Sequence, residues 1–499
     1  MKRDEKAGYI ATFDVGTTAV KGVLVDEAGR PAAARSVEIP TLFEGDRKEQ
    51  DPQSWWDAFR KISLEFTKSV PSAQIEALVM SGQMQDLIPL DRALNPVCNA
   101  ILYSDGRAGE QAKRIEEAVG AERFLRLTGN RCDGSLPLPK LLWLKERRPD
   151  LYAMTSHVLI SSKDYLIARL TGVCAGDVTA GSTAGAMDIF QKCWSGELLA
   201  STGVSPDLFP ELFAAHRRVG GVLPEAAKAC GYLPGTPVFA GTGDAGAATL
   251  ASGIAAPGQY NINLGTSGWV AAVSDGPLLT QEGVFNLAAM PEDRYINVVP
   301  FLNAGNVHSW IAGVMAGFAG REDVNFDALG ALLTRSAPGS GGTLFLPYLV
   351  GERFPVLDPH ARGCCIGLTP QTTAADLARA ALEGVAFSIR QGLERLDPAP
   401  QSVSLIGGGG RESVWCQILA DVLGREIAVF RDAELLPAMA VASAALLGLG
   451  KIACYEQFTA SLSGLENCVR YTPFAGSGKI YGPLYERFYC LHPVLRALW

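Results

Sequence analysis

The sequence predicts an α/β protein made of two related halves around one cleft, and three observations predict it. A β-rich run ending in a glycine-threonine turn occurs twice, at Tyr9–Thr18 and at Gln259–Ser267. With Gly16 set over Gly265, Thr17 falls on Thr266, Thr18 on Ser267 and Asp26 on Asp275, at a separation close to half of the 499 residues. Elsewhere, buried-type strands run into glycine turns and then into helices, which is the alternation of an α/β fold. The halves are drawn at 1–254 and 255–499.

Composition narrows the function. Lys and Arg number 44 against 52 Asp and Glu, a formal charge of −8, and charged residues are 19% against 48% hydrophobic. That excludes a disordered chain, and with no basic run it argues against a nucleic-acid or anionic-membrane partner. The 11 Cys show no C-x-x-C spacing, and the five His (His157, His216, His308, His360, His492) show no metal-ligand spacing. Reduced thiols, no structural zinc and a cytoplasmic location are expected. The start, Met1 to Ile10, is basic without an apolar segment. The small-apolar stretch Leu436 to Gly450 is shorter than the ~20 residues of a membrane span. A small-molecule binder fits best. A homodimer is carried as an open expectation, because no motif speaks to oligomeric state.

In chain order, the first hairpin comes first. Gly16 lets a ligand approach the backbone, and the turn N–H groups with the Thr17 and Thr18 hydroxyls form a donor surface for phosphate oxygens. Asp14 beside that surface would repel phosphate unless a cation lies between, so it predicts Mg²⁺ or its water shell. The alternative is an Asp that bonds only its own turn. Ile75–Ser81 is a buried strand ending in Gly82-Gln83-Met84-Gln85-Asp86. Pro237–Ala240 is a short strand running into Gly241-Thr242-Gly243-Asp244-Ala245-Gly246 and an Ala-rich helix. There Asp244 reads equally as a general base facing a cleft and as a helix N-cap. Ala255-Ala256-Pro257-Gly258 marks the boundary. In the second hairpin Asn263 takes the place of Asp14. Ser402–Ile406 then runs into Gly407 to Gly410 and a helix from about Trp415 to Leu423, a plan suited to nucleotide.

These residues resemble the FGGY carbohydrate kinases, of the duplicated actin, hexokinase and Hsp70 type of ATPase fold (ribonuclease H-like), from about residue 8 to about 450. Within the family the xylulose kinases are the most similar. Glu49-Gln50-Asp51-Pro52 with Trp55-Trp56 resembles their E-Q-D-P-x-x-W-W segment. Ser135 to Leu144 resembles the first family signature, with Arg147 departing near its end. Gly363 to Leu368, Asp376-Leu377 and Ala380 to Glu383 resemble the second, with Cys365 for a larger apolar residue. Phe345 to Leu349 with Gly351-Glu352-Arg353 resembles F-L-P-Y-L-x-G-E-R.

The resemblance implies ATP with Mg²⁺ as donor and a small sugar as acceptor. Asp14 would serve Mg-ATP, with Gly16, Thr17, Thr18 and Lys21 at the first phosphate hairpin and Gly265, Thr266 and Ser267 at the second. Gly408, Gly409 and Gly410 would lie under the adenosine, and Asp244 would be the catalytic base. Gln83, Met84, Gln85 and Asp105, with Asp244, would meet the sugar. The family's G-Q-M-H becomes Gly82-Gln83-Met84-Gln85 here, and its N-D-x-R becomes Ser104-Asp105-Gly106-Arg107. The expected reaction is phosphorylation of a terminal hydroxyl of a pentulose, D-xylulose to D-xylulose 5-phosphate. Ribulose, sedoheptulose, gluconate or glycerol kinases are the alternatives, and a sugar-independent ATPase switch is the rival from another class. Trp55, Trp56, Glu383 and His308 read as either structural or functional, and the tail from Tyr455 carries no motif.

Overall fold

The computed structural model describes residues 8–45, 47–280, 282–320, 325–396, 400–430, 433–462 and 468–498. The basic start through Ala7 lies outside them. In the first half, β1 (Tyr9–Val15) and β2 (Ala19–Asp26) form the expected hairpin, and β3 (Pro31–Glu38) extends it. Helix α1 (Pro52–Ser69) starts where Asp51 accepts from the Gln53 N–H, and Pro52 needs no donor of its own there. Its apolar face, Trp55, Trp56, Phe59, Ile62 and Phe66, packs on the sheet. Then follow β4 (Ile75–Gly82), α2 (Ser162–Thr171), β5 (Arg218–Gly221), β6 (Pro237–Phe239) and α3 (Asp244–Ala251). Strand order is β5-β6-β4-β1-β2-β3, with the two-residue strand Thr242–Gly243 also on β4.

The second half repeats this plan. Its elements are β7 (Gln259–Leu264), β8 (Gly268–Ser274), β9 (Phe285–Ala288), β10 (Tyr295–Phe301), α4 (Gly305–Phe318) and α5 (Ala374–Leu396). After them come β11 (Ser402–Ile406), α6 (Ser413–Leu423), β12 (Ile427–Phe430), α7 (Leu436–Ala440), α8 (Ala442–Gly448), β13 (Cys468–Tyr471) and α9 (Ser477–Tyr489). The order is β9-β10-β8-β7-β11-β12-β13. In both sheets three antiparallel strands (β3-β2-β1, β10-β8-β7) meet two parallel ones (β4 and β6, β11 and β12). The duplication read from two turns is therefore a duplication of topology.

The repeat does not keep constant register. Val15 pairs with Val20 across four residues, whereas Leu264 pairs with Gly268 across three. Past the turn every equivalence shifts by one, so Lys21 matches Trp269, and Asp26 matches Ser274 rather than Asp275. The tight second turn needs Gly268, since a Cβ there would come 2.3 Å from the Asn263 carbonyl oxygen.

Apolar packing and a buried amide pair are two of the contacts that join the halves. Helices α7 and α8, from the second half, pack through Leu436, Met439, Val441 and Leu446 onto Ile10, Val23, Ala77 and Val79 of the first sheet. Gly448 permits this, because a Cβ would lie 2.2 Å from Phe239. At the other junction Asn130 and Asn286, both buried, exchange bonds: Asn130 Nδ2 donates to the Asn286 carbonyl (2.8 Å), and the Asn286 N–H donates to Asn130 Oδ1 (2.9 Å). Among the described residues no helix is long and apolar enough to cross a membrane. The tail serves the fold: β13 completes one edge of the second sheet, and α9 buries Tyr481, Tyr485 and Phe488 in its core.

Candidate active site

Parallel pairing of β1 and of Thr242–Gly243 with β4 brings the two predicted acids to strand ends on either side of β4. Asp14 lies opposite Ser81, Val15 opposite Gly82, and Gly82 opposite Gly243. A Cβ at Gly243 would lie 2.0 Å from Met84 Sδ, so a side chain there would push Met84 aside. Gly241, at φ +62°, would drive a Cβ to 1.9 Å from the Met80 carbonyl. The strand end therefore closes onto the loop of Met84 and Gln85, and both are partly exposed beside Asp244.

Asp244 is the first residue of α3, and Gly243 is its N-cap. Burial, then the charge of Asp14, raise the Asp244 carboxyl to about 7; the Ala245 N–H opposes this and Asp177 adds to it. Asp14 accepts from Ser81 Oγ (2.9 Å) on the adjacent strand, not from its own turn. Burial also raises Asp14, against the Ser81 bond and the charge of Lys21. Behind Asp244, Asp177 Oδ1 accepts from the N–H groups of Thr179 (2.9 Å), Ala180 (3.1 Å) and Gly243 (3.2 Å). Lys163, wholly buried, donates to Asp164 Oδ1 and forms an ion pair with Asp177 Oδ2 at 2.8 Å. No local motif announced this network, which depends on residues 66 positions apart meeting at one strand end.

Two predicted sugar contacts are turned inward. Gln83 is 1% exposed; its Nε2 donates to Gln50 Oε1 (2.9 Å), and its Oε1 accepts from Thr17 Oγ1 (2.8 Å). Gln50 in turn donates to the Thr17 carbonyl and accepts from Trp55 Nε1, so the E-Q-D-P-x-x-W-W segment buttresses the first phosphate turn. Both tryptophans are core residues. Asp105 is fully buried, and its carboxylate accepts from the N–H groups of Lys48 and Arg107 and from the Arg107 guanidinium. These bonds hold its carboxyl below its usual range although burial, the largest single influence, acts to raise it. Gln85 instead stands partly exposed at φ +66°, donating to Ser135 Oγ (2.7 Å).

On the second half, Thr266 and Ser267 are exposed at the turn. The turn is held from behind by the Gly305 N–H on the Gly265 carbonyl (2.9 Å) and the Asn306 N–H on the Thr266 carbonyl (3.0 Å). Of the three predicted adenosine glycines, only Gly408 faces open space. A Cβ at Gly409 would lie 2.7 Å from Leu264, and one at Gly410 would lie 2.9 Å from Leu405. Lys21 Nζ reaches the Glu434 carbonyl at 3.5 Å. His308 stacks on Phe326 and packs against Trp415, and burial lowers it to about 4. Glu383 is saturated by Gly339, Ser340, Arg379 and Tyr481 and is structural. A cavity of about 830 Å³, lined by Arg47, Arg107, Trp143, Arg147 and Arg148, includes none of the cleft residues.

A duplicated sheet with a hairpin in each copy, and two carboxyls at strand ends on either side of β4, matches the duplicated ATPase fold of the actin and hexokinase type. The chain belongs to the FGGY family of carbohydrate kinases: residues 9–251 match the family's N-terminal domain and residues 260–446 its C-terminal domain. It is 32% identical to a xylulose kinase of Escherichia coli over 485 residues, 95% of this chain and 98% of that protein. Two structures from Lactobacillus acidophilus, a ligand-bound xylulose kinase and a gluconate kinase, each superpose at TM-score 0.89 with 25% identity. Both superpositions cover 98% of this chain, and they cover 99% and 98% of the other chains respectively. The protein is a carbohydrate kinase, and kinases of this family use ATP as phosphate donor.

Proposed function

We propose that the protein phosphorylates a terminal hydroxyl of a pentulose, converting D-xylulose to D-xylulose 5-phosphate. The observation that carries this reading is the closure of the Met84-Gln85 loop on Gly243, beside the Asp244 carboxyl and one strand from Asp14. Asp244 takes the proton of the attacking hydroxyl, and its raised affinity for protons suits that transfer near neutral pH. The N–H groups and hydroxyls of Gly16, Thr17 and Thr18, with Gly265, Thr266 and Ser267, receive phosphate oxygens from two sides. Gly408 offers the open backbone on which adenosine lies, while Gly409 and Gly410 let that turn sit low on β7 and β11.

Asp14 would hold Mg²⁺, an ion that keeps several waters and takes one or two carboxylates plus phosphate oxygens. The fit follows from burial making Asp14 costly to ionise and from the Asp14 charge doing the same to Asp244, both of which a cation at Asp14 relieves. When bound, the ion neutralises charge on the phosphate oxygens. Met84 and Gln85 meet the sugar directly; Gln83 and Asp105 act from behind, through Thr17 and Arg107. The lobes divide at 1–254 and 255–499, with α7 and α8 crossing back.

Gluconate is the second reading, because a gluconate kinase superposes equally well. A carboxylate substrate would enter a cleft that carries Asp14 and Asp244, and this favours the neutral ketose. ADP release with D-xylulose, D-ribulose, gluconate and glycerol in turn tests the choice. Turnover with gluconate and none with D-xylulose overturns the pentulose reading, and sugar-independent ATPase activity alone overturns both.

A further inference from the structure

We propose that Lys140, with Asp86, is the positioning device of the sugar pocket, tying the loop of Met84 and Gln85 to the loop of Ser104 and Asp105. This rests on the sugar-kinase reading above. Lys140 lies on the helix Pro137–Arg147 and is wholly buried among Leu138, Leu141 and Leu144. Its Nζ donates to the carbonyls of Leu102 (2.7 Å) and Gln85 (3.1 Å), one in each loop. Asp86, also wholly buried, makes the reciprocal tie: its Oδ1 accepts from the Tyr103 N–H (2.9 Å). Its Oδ2 has no hydrogen-bond partner.

An apolar residue of similar length would fill the place of Lys140 without the cost of burying an ammonium. The charge has an identifiable use at Gln85. That residue holds a left-handed backbone, which a side chain other than glycine adopts at a cost. One short segment fixes it at two points: Lys140 holds its carbonyl, and Ser135 holds its amide side chain. The direction in which Gln85 faces the cleft is thus set by Ser135 and Lys140, and the width between the two loops by Lys140 and Asp86. Burial makes the Asp86 carboxyl hard to ionise, and it lowers Lys140, each being the other's main compensating charge. Neither side chain touches a reacting atom in this reading: Lys140 acts through Gln85, and Asp86 through the spacing of the two loops.

The experiment compares wild type, Lys140→Met, Asp86→Asn and the double variant, all full length, with D-xylulose and ATP. For Lys140→Met the KM for D-xylulose rises roughly tenfold or more, because small misplacements of a binding group are costly. The KM for ATP stays within twofold. Asp86→Asn raises the sugar KM about threefold, and the double variant loses less than the product of the two. A packing role would lower the melting temperature and the active fraction while leaving the sugar KM unchanged. A sugar KM within twofold of wild type in folded Lys140→Met overturns the proposal, and if that variant does not fold, the same result in Asp86→Asn does so. Wild type that leaves D-xylulose untouched overturns the pentulose reading instead, and the KM comparison then runs on the sugar that is turned over. Turnover of no sugar overturns both.

Discussion

The two hairpins share a backbone plan and differ in charge. The first carries Asp14 opposite Lys21, and its turn is braced by Gln83 and Gln50; the second carries Asn263 opposite Trp269, and its turn is braced by backbone N–H groups of α4. Beneath the first lie Asp244, Asp177, Lys163 and Asp164, while the glycine turn Gly407 to Gly410 lies beside the second. One copy of a duplicated fold has thus taken the ionisable chemistry, and the other offers neutral donors and open backbone. The division is physically sensible, because phosphate bound between two acidic hairpins would be repelled from both sides.

The largest expected effect lies at the charged copy. Asp244→Asn keeps the shape and removes the base, so kcat falls by about 10²–10⁴; a steady-state rate near wild type would remove Asp244 from the reaction. As the proposed base, Asp244 would act as the carboxylate. Its pKa being raised, kcat/KM falls as pH drops through about 7. A profile flat from pH 5 to 8 would contradict this.

Asp14→Asn makes the first hairpin chemically like the second. We expect a loss of about 10² in kcat, with sugar binding retained in a thermal-shift titration. Loss of sugar binding as well would mean that Asp14 shapes the fold. Lys163→Met leaves Asp177 and Asp164 buried without their cation and costs about 3–5 kcal/mol of stability, read by urea unfolding. An unchanged midpoint would show that the acids are not paired as described.

The smallest effects lie at the neutral copy. Gly409→Ala forces a Cβ against Leu264 and Trp415 and costs about 1–3 kcal/mol. Gly408→Ala meets open space, so stability changes by less than about 0.5 kcal/mol. Its KM for ATP nevertheless rises several-fold if adenosine lies there. Equal unfolding midpoints for the two variants would erase the distinction between packing and contact glycines.

Much of this was legible along the chain. Apolar runs ending in glycine located β1, β4, β6, β7 and β11, because strand burial and turn conformation are local demands. The strand at 237 and the Asp244 turn were recognisable for the same reason. The expectation that Gln83 faces the sugar meets a different geometry: its amide is captured by Thr17 and Gln50, 66 and 33 residues away, while Met84 and Gln85 beside it stay partly exposed. Asp105 is likewise occupied, since its local partner Arg107 and its remote partner Lys48 take up the carboxylate. The register slip in the second hairpin was hidden because a turn one residue shorter leaves the motif Gly-Thr-Ser intact.

The sequence by itself determined that there are two copies, where their turns lie, and that only the first carries an acid. Those properties reside in residue type and short spacing, which the chain states directly. Which polar groups face the cleft, that Lys163 and Lys140 are buried cations, and that α7 and α8 return to the first sheet were decided only by the tertiary structure. Each depends on which remote donor or apolar surface arrives at a given atom, and burial of a charge is settled by that arrival alone.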